Sequence, residues 1–313
     1  MAEAPVIPGP NAAPLAVAVV GAGNMGGAMV ERLCEAGWAV AVHDTAAAAC
    51  ERAARAGARV ASSAADAVAG LSPQGALIVV VVDAAQTRAV LQQAAPAMQP
   101  GQAVLLCPTI APADTEALAA ELTRHGLHAI DAPMSGGPAR ARDGTMSLMV
   151  AASSEARAAQ DTLLRALSSR IFDISTRVGD GARTKLVNNL LAGINLVGAA
   201  EVLALAERLG LSAQRTLDVI GQSSGQSWIG QDRMARAVAG DFEPRAHMTL
   251  LEKDTRLALE AAQAVGFAGP LGAAAARTFA EASAAGLAGQ DDAALLKWLR
   301  QQNPGGEDQH PGQ

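Results

Sequence analysis

Through the first half of the chain, apolar positions come in short unbroken runs. Leu15–Gly23 (LAVAVVGAG), Trp38–Asp44 (WAVAVHD) and Ala76–Val82 (ALIVVVV) are three of them. Ala103–Cys107 (AVLLC) and His128–Pro133 (HAIDAP) are shorter. A strand that is apolar at every position needs both faces covered, as in a parallel sheet. Helical spacing fills the gaps at Asn24–Gly37, Ala46–Gly57 and Asp114–His125, with Gly37 as a stop signal. TMSLMVAA and RIFDIS read as two more strands. Alternation through about Thr176 predicts an open α/β sheet.

After Arg177 the strand runs fade. Helical periods at about Thr184–Leu209, Ser212–Ser223, Ile229–Ala239, Leu251–Ala264, Leu271–Ala285 and Asp292–Gln301 predict an all-helical second domain. Its first helix would span roughly 37 Å at about 1.5 Å per residue. The expected division is 15–177 for the α/β domain and 178–301 for the helical one. Pro- and Gly-bearing segments at 1–14 and 302–313 read as disordered arms.

Composition narrows the picture. Half of the 313 residues are hydrophobic, aromatics are 2% and Tyr is absent, so the core must be built from Ala, Val and Leu. A net charge of −6 without a basic block disfavours a nucleic-acid partner. The three scattered cysteines, Cys34, Cys50 and Cys107, fit neither a disulfide framework nor a metal cluster and suit the cytoplasm. The first residues have no basic or apolar region of a signal peptide. The stretch LVNNLLAGINLVGAAEVLALA is long enough to span a membrane, but Asn188, Asn189, Asn195 and Glu201 would be costly at bilayer depth.

VVGAGNMGG places Gly21, Gly23 and Gly26 in G-x-G-x-x-G spacing between the first strand and first helix. Gly21 permits a tight turn, Gly23 lets a pyrophosphate reach the backbone, and Gly26 lets helix and strand pack closely. The helix N-terminus then presents N–H groups and a positive dipole end to the phosphates. Alone the motif is weak, and a glycine turn that binds nothing has the same letters. It gains weight because it opens the first βαβ unit and because Asp44 ends the second strand, 18 residues after Gly26. Asp44 can accept from both ribose hydroxyls and would repel a 2′-phosphate, and Thr45–Ala47 provide no arginine for one. The expectation is NAD rather than NADP; the plainer reading of Asp44 is a cap on the helix near Ala46.

Two further stretches carry candidate chemistry. In DAPMSGGPARARDGTMSLM, Ser135, Gly136 and Gly137 offer a hydroxyl and consecutive N–H groups at the carboxyl end of the sheet, a nest suited to a carboxylate, or else merely a turn. In GDGARTKLVNN, Lys185 and Asn189 are i and i+4 and share a helix face, with Asn188 beside them. Gly179 and Gly181 are expected to loosen the start of that helix for a ligand. A dehydrogenase must remove a hydroxyl proton as hydride leaves carbon, and a lysine brought to a pKa of about 7–8 can take it. A snorkelling lysine is the alternative. No metal site is expected.

These motifs, with EKDTRLAL at Glu252–Leu259, resemble those of the β-hydroxyacid dehydrogenases over about Leu15–Leu299. The resemblance implies an N-terminal Rossmann-type domain, an all-α C-terminal domain and a long interdomain helix joining them. It implies a small hydroxy-acid substrate and a homodimer or homotetramer. It makes Lys185 the catalytic lysine and Asn189 the substrate amide, with Asn188 its neighbour, and Ser135–Gly137 the carboxylate loop. It puts Gly21, Ala22, Gly23, Asn24, Met25, Gly26, Asp44, Val82, Asp83, Thr109 and Lys253 on the cofactor side, with Asp254 a structural neighbour. Asp83 departs from what a cofactor site suggests, and Cys107–Pro108 stand where a serine is common. SSGQSWIGQDRM and GLAGQDDAALLKWL resemble the L-threonate dehydrogenase group and point to Trp228 near the substrate. Expected alternatives are 3-hydroxyisobutyrate or tartronate semialdehyde chemistry and, outside redox enzymes, a methyltransferase or a non-catalytic dinucleotide-binding module.

Overall fold

A computed structural model describes residues 15–303. The arm expected at 1–14 and the tail beyond 303 lie outside the described residues, while Gln302 closes the last helix. The chain divides into two compact units after Lys185. One family of nine strands builds the first unit: β1 Ala16–Val20, β2 Ala39–His43, β3 Arg59–Val60, β4 Ala76–Val79, β5 Ala103–Leu106, β6 His128–Asp131, β7 Met134–Ser135, β8 Ser147–Ala151 and β9 Arg170–Ser175.

The strand order is β3-β2-β1-β4-β5-β6-β8-β7, with β9 also pairing β8. From β3 to β6 every pairing is parallel; β8 runs antiparallel to β6 and β7 and parallel to β9. The unbroken apolar runs are explained by this. Val17, Val19, Ile78 and Leu105 feed one core, while Ala18, Val20, Leu77, Val79, Val104 and Leu106 feed another. Successive residues point to opposite faces, and both faces are covered. β1 neighbours β2 on one side and β4 on the other, which is the point where strand order reverses and a crevice opens at the carboxyl ends.

Several boundaries differ from expectation for local reasons. β4 stops at Val79 rather than Val82, because Asp83 caps the helix Ala84–Ala94 and draws the chain out of the sheet. That helix was not marked by a clear apolar period, and β3 and β7 are only two residues long. The largest difference is the helix expected from Thr184. It runs Asp180–Arg208, 29 residues and roughly 44 Å at about 1.5 Å per residue.

The named elements of the second unit's described residues are all helical: the rest of that long helix, then Ala213–Gly221, Trp228–Val238, Met248–Ala264, Pro270–Ala282 and Leu295–Gln302, with short helical turns at 283–287 and 292–294 and one isolated bridge between His247 and Asp291. Its core gathers Leu196, Ala200, Leu203, Leu217, Met234, Met248, Phe279, Leu295 and Trp298. The long helix has the length and hydropathy to cross a membrane. It supplies Leu196, Ala200, Leu203 and Ala204 to this core instead. The paired carboxylates of AGQDDAAL are internal to the unit. Asp291 accepts from Arg236 Nη2 at 2.9 Å and from the Arg245 and Ala246 N–H groups at 2.8 and 3.1 Å, and Asp292 accepts from Arg233 Nε at 2.6 Å.

Candidate active site

The loop after β1 is shaped by close approaches. Gly21 has φ +95°, donates its N–H to the His43 carbonyl at 3.0 Å, and has no room for a side chain, since a Cβ would lie 2.2 Å from the Val80 carbonyl oxygen. A Cβ on Gly26 would lie 1.9 Å from the Gly21 carbonyl oxygen. One on Gly23 would meet nothing within 4 Å. Gly23 is the N-cap of the helix Asn24–Glu35, which has no side-chain cap and no acidic residue in its first turn. The backbone at Ala22–Gly26 therefore combines N–H donors, a positive dipole end and open space, the donor set a pyrophosphate requires. Residues 21–26 fit a dinucleotide.

Asp44 stands at the end of β2. Its Oδ2 accepts the Ala22 N–H at 2.6 Å and its Oδ1 accepts the Ala46 N–H at 2.8 Å. The carboxylate thus ties the glycine loop to the neighbouring strand. It is not the N-cap of the following helix, a position held by Ala46 without a side-chain bond. A carboxylate has about four acceptor sites, so two remain for ribose hydroxyls.

Val82 and Asp83 follow β4, and Thr109 follows β5. Val82 is 52% exposed. Asp83 has a physical account that its sequence position did not supply. Its Oδ1 accepts the Gln86 N–H at 2.8 Å, while Gln86 Oε1 accepts the Val82 N–H at 3.1 Å. The pair resembles a capping box shifted by one residue, with Gln86 reaching the N–H before the N-cap, and it satisfies donors at a helix start.

The Ser-Gly-Gly loop follows β6. Ser135 belongs to β7, Gly136 is the N-cap of the short helix Gly137–Arg142, and Arg140 packs its stem across Gly136. An ion pair between Arg142 and Glu31 ties that short helix to the one leaving the glycine loop.

Asp131 was not singled out in the sequence, yet it organises the start of the long helix. It ends β6 and is 1% exposed. Its Oδ2 accepts the N–H groups of Gly179 at 2.8 Å and Ala182 at 3.0 Å. Gly181 packs so tightly here that a Cβ would lie 2.7 Å from the Met149 carbonyl oxygen and 2.9 Å from the Asp131 carboxylate. The glycines therefore seat the helix against the sheet; they do not loosen it. Arg183 adds an ion pair to Glu116 at 2.7 Å. Burial lifts the Asp131 carboxyl from 3.8 to about 6, against N–H bonds from Ala182, Gly179 and Gly181 that favour the anion. Burial and the Asp131 charge push the adjacent Cys107 thiol up. Lys185, one turn beyond Gly181, is 7% exposed.

In the second unit, Asn189 is 8% exposed and Asn188 is on the surface. Asn189 Nδ2 donates to Asp254 Oδ2 at 2.6 Å, and its Oδ1 accepts from Asn188 Nδ2 at 3.0 Å. Because a carboxylate only accepts, Asp254 fixes which end of the Asn189 amide faces it. Lys253 Nζ donates to Asp254 Oδ1 at 2.7 Å, so one carboxylate holds both side chains. Trp228 opens the helix Trp228–Val238 behind the N-cap Ser227 and is 43% exposed, not core. Among the described residues no group of three His, Cys, Asp or Glu side chains forms a metal site.

A dinucleotide loop, an anchored lysine and a helical second unit define a nicotinamide-dependent oxidoreductase as the class. Residues 16–176 match the NAD-binding domain of 6-phosphogluconate dehydrogenase, and 179–299 match the NAD-binding domain of NADP-dependent 3-hydroxyisobutyrate dehydrogenase. The L-threonate dehydrogenase of Cupriavidus necator is 36% identical over 90% of this chain and 95% of its own. That of Pectobacterium atrosepticum is 33% identical over 90% and 93%. The structure of 3-hydroxyisobutyrate dehydrogenase from Salmonella typhimurium superposes with a TM-score of 0.86 at 36% identity, covering 91% of this chain and 99% of that one. The chain belongs to the β-hydroxyacid dehydrogenase family, the 3-hydroxyisobutyrate dehydrogenase-like enzymes. It is an NAD(P)-dependent dehydrogenase acting on the CH–OH group of a hydroxy acid.

Proposed function

We propose that the preferred substrate is a four-carbon sugar acid such as L-threonate, oxidised at its 2-hydroxyl, and that NAD is the preferred cofactor. The observation that carries the catalytic reading is Lys185, an amine buried one turn into a helix whose start is fixed to the carboxyl end of the sheet. The likeness to L-threonate dehydrogenases from several bacteria supports the choice of acid.

The residues divide the work by their chemistry. The Ser135 hydroxyl and the N–H groups of Gly136 and Gly137 hold the substrate carboxylate. Lys185 Nζ takes the hydroxyl proton during oxidation and returns it during reduction. Asn189 keeps one N–H beyond its bond to Asp254, and that donor holds the alcohol oxygen without a charge change. Asn188 flanks it, and Trp228 contributes an exposed indole to substrate binding. Residues 21–26, Asp44, Val82, Asp83, Thr109 and Lys253 hold the dinucleotide. Bound there, NAD supplies the hydride acceptor. NAD is favoured over NADP because the Asp44 carboxylate would repel a 2′-phosphate.

The enzyme acts in the cytoplasm on a small molecule, without nucleic-acid or membrane partners. Exposed Val187, Leu191, Val202 and Leu205 on the long helix support a homodimer or homotetramer. A panel of hydroxy acids, each with NAD and with NADP, tests the reading. L-threonate with NAD is expected to give the highest kcat/KM. A higher value for 3-hydroxyisobutyrate, or for tartronate semialdehyde in reduction, moves the assignment to those activities. No turnover with any acid leaves a non-catalytic dinucleotide-binding module.

A further inference from the structure

The buried carboxylate of Asp131 makes a connection that the family motifs do not spell out. Its residue ends a strand, 48 positions before Gly179, and is the last residue before the Ala-Pro-Met-Ser-Gly-Gly loop. One oxygen accepts two N–H groups from the first turn of the helix that carries Lys185. Those N–H groups have no partner within a helix, so a side chain or water must satisfy them. The glycine at 181 removes the side chain that would hold the helix away from the carboxylate. The same short strand end therefore sets the position of the carboxylate loop on one side and of the lysine on the other.

We propose that Asp131 is a positioning residue of the reaction: its carboxylate fixes the first turn of the long helix and so sets Lys185 relative to the Ser135–Gly137 loop. This rests on the assignment of Lys185 as acid/base. Asp131 touches neither substrate nor cofactor in this account, and its effect is transmitted through backbone N–H groups. Misplacing a catalytic group by about 1 Å can lower a rate about 100-fold. An asparagine keeps an accepting oxygen in the same place but loses the charge that strengthens both bonds about twofold.

The test combines kinetics with backbone amide hydrogen exchange on the full chain. In Asp131→Ala, exchange over residues 179–185 should accelerate while the rest of the sheet holds its protection. kcat should fall at least about tenfold, NADH affinity should stay within about twofold, and Asp131→Asn should recover most of the kcat loss. Gly181→Ala attacks the same contact from the helix side and should reproduce the kcat loss, which keeps the test open if Asp131→Ala does not fold. Unchanged exchange over 179–185 overturns the proposal. So does faster exchange with kcat retained, or a loss of cofactor affinity in step with kcat, which would mark a merely structural role. A wild-type protein inactive on every hydroxy acid rejects the acid/base assignment instead, and the exchange pattern still decides whether Asp131 anchors the helix.

Discussion

At the scale of single residues, the site is made of side chains held by others. Asp44 spends two acceptor sites on the N–H groups of Ala22 and Ala46, so it shapes the cofactor loop before any cofactor arrives. Asp44→Asn retains an accepting oxygen but removes the charge that faces a 2′-phosphate. The ratio of kcat/KM for NAD over NADP is expected to fall about tenfold, or roughly 1.4 kcal/mol. A wild-type enzyme that prefers NADP, or a ratio unmoved by the substitution, would sink the cofactor assignment. The two asparagines separate by burial. Asn189 is fixed by Asp254, whereas Asn188 is on the surface and donates to its neighbour. Asn189→Ala should therefore lower kcat/KM about tenfold more than Asn188→Ala, or about 1.4 kcal/mol, the upper end of the range for one hydrogen bond. Equal losses would contradict that ordering.

At the scale of elements, the start of the long helix decides the most. Asp131 has a carboxyl raised from 3.8 to about 6 by burial, so the folded state holds its proton more tightly than the unfolded chain does. Its contribution to stability is fully present below about 3.8 and is lost as pH rises through about 6. The stability of the wild type minus that of Asp131→Asn should accordingly decline between about pH 4 and pH 6 and then level off. A difference that grows over that window falsifies the burial account. The strands were legible because short apolar runs bounded by turn signals fit a covered parallel sheet: β1, β4 and β5 are apolar throughout, and β2 and β6 are apolar but for polar ends. The helix start at Asp180 was not legible. GDG reads locally as a loop, and the residue that caps it lies 48 positions away on another element. Asp83 was equally opaque until Gln86 supplied the other half of the pair. Non-local partners, not weak propensities, account for these gaps. Of the candidate site, the glycine loop was legible from its spacing together with its place between the first strand and helix and Asp44 after the second strand, and Gly21 and Gly26 occupy positions that no side chain can enter.

At the scale of the whole molecule, each unit has its own core and its own polar cluster. The first carries the cofactor loop and the carboxylate loop on one mixed sheet and ends at Lys185, in the first turns of the long helix. The second holds Asn189 and Lys253 on a single carboxylate. The proposed reaction rests on one proton acceptor, Lys185. The most direct test of the account is turnover of L-threonate with NAD by Lys185→Met, measured beside NADH affinity. General-base loss predicts that kcat falls roughly 100-fold to 10,000-fold while NADH still binds. Near-wild-type turnover with the cofactor bound would contradict the account.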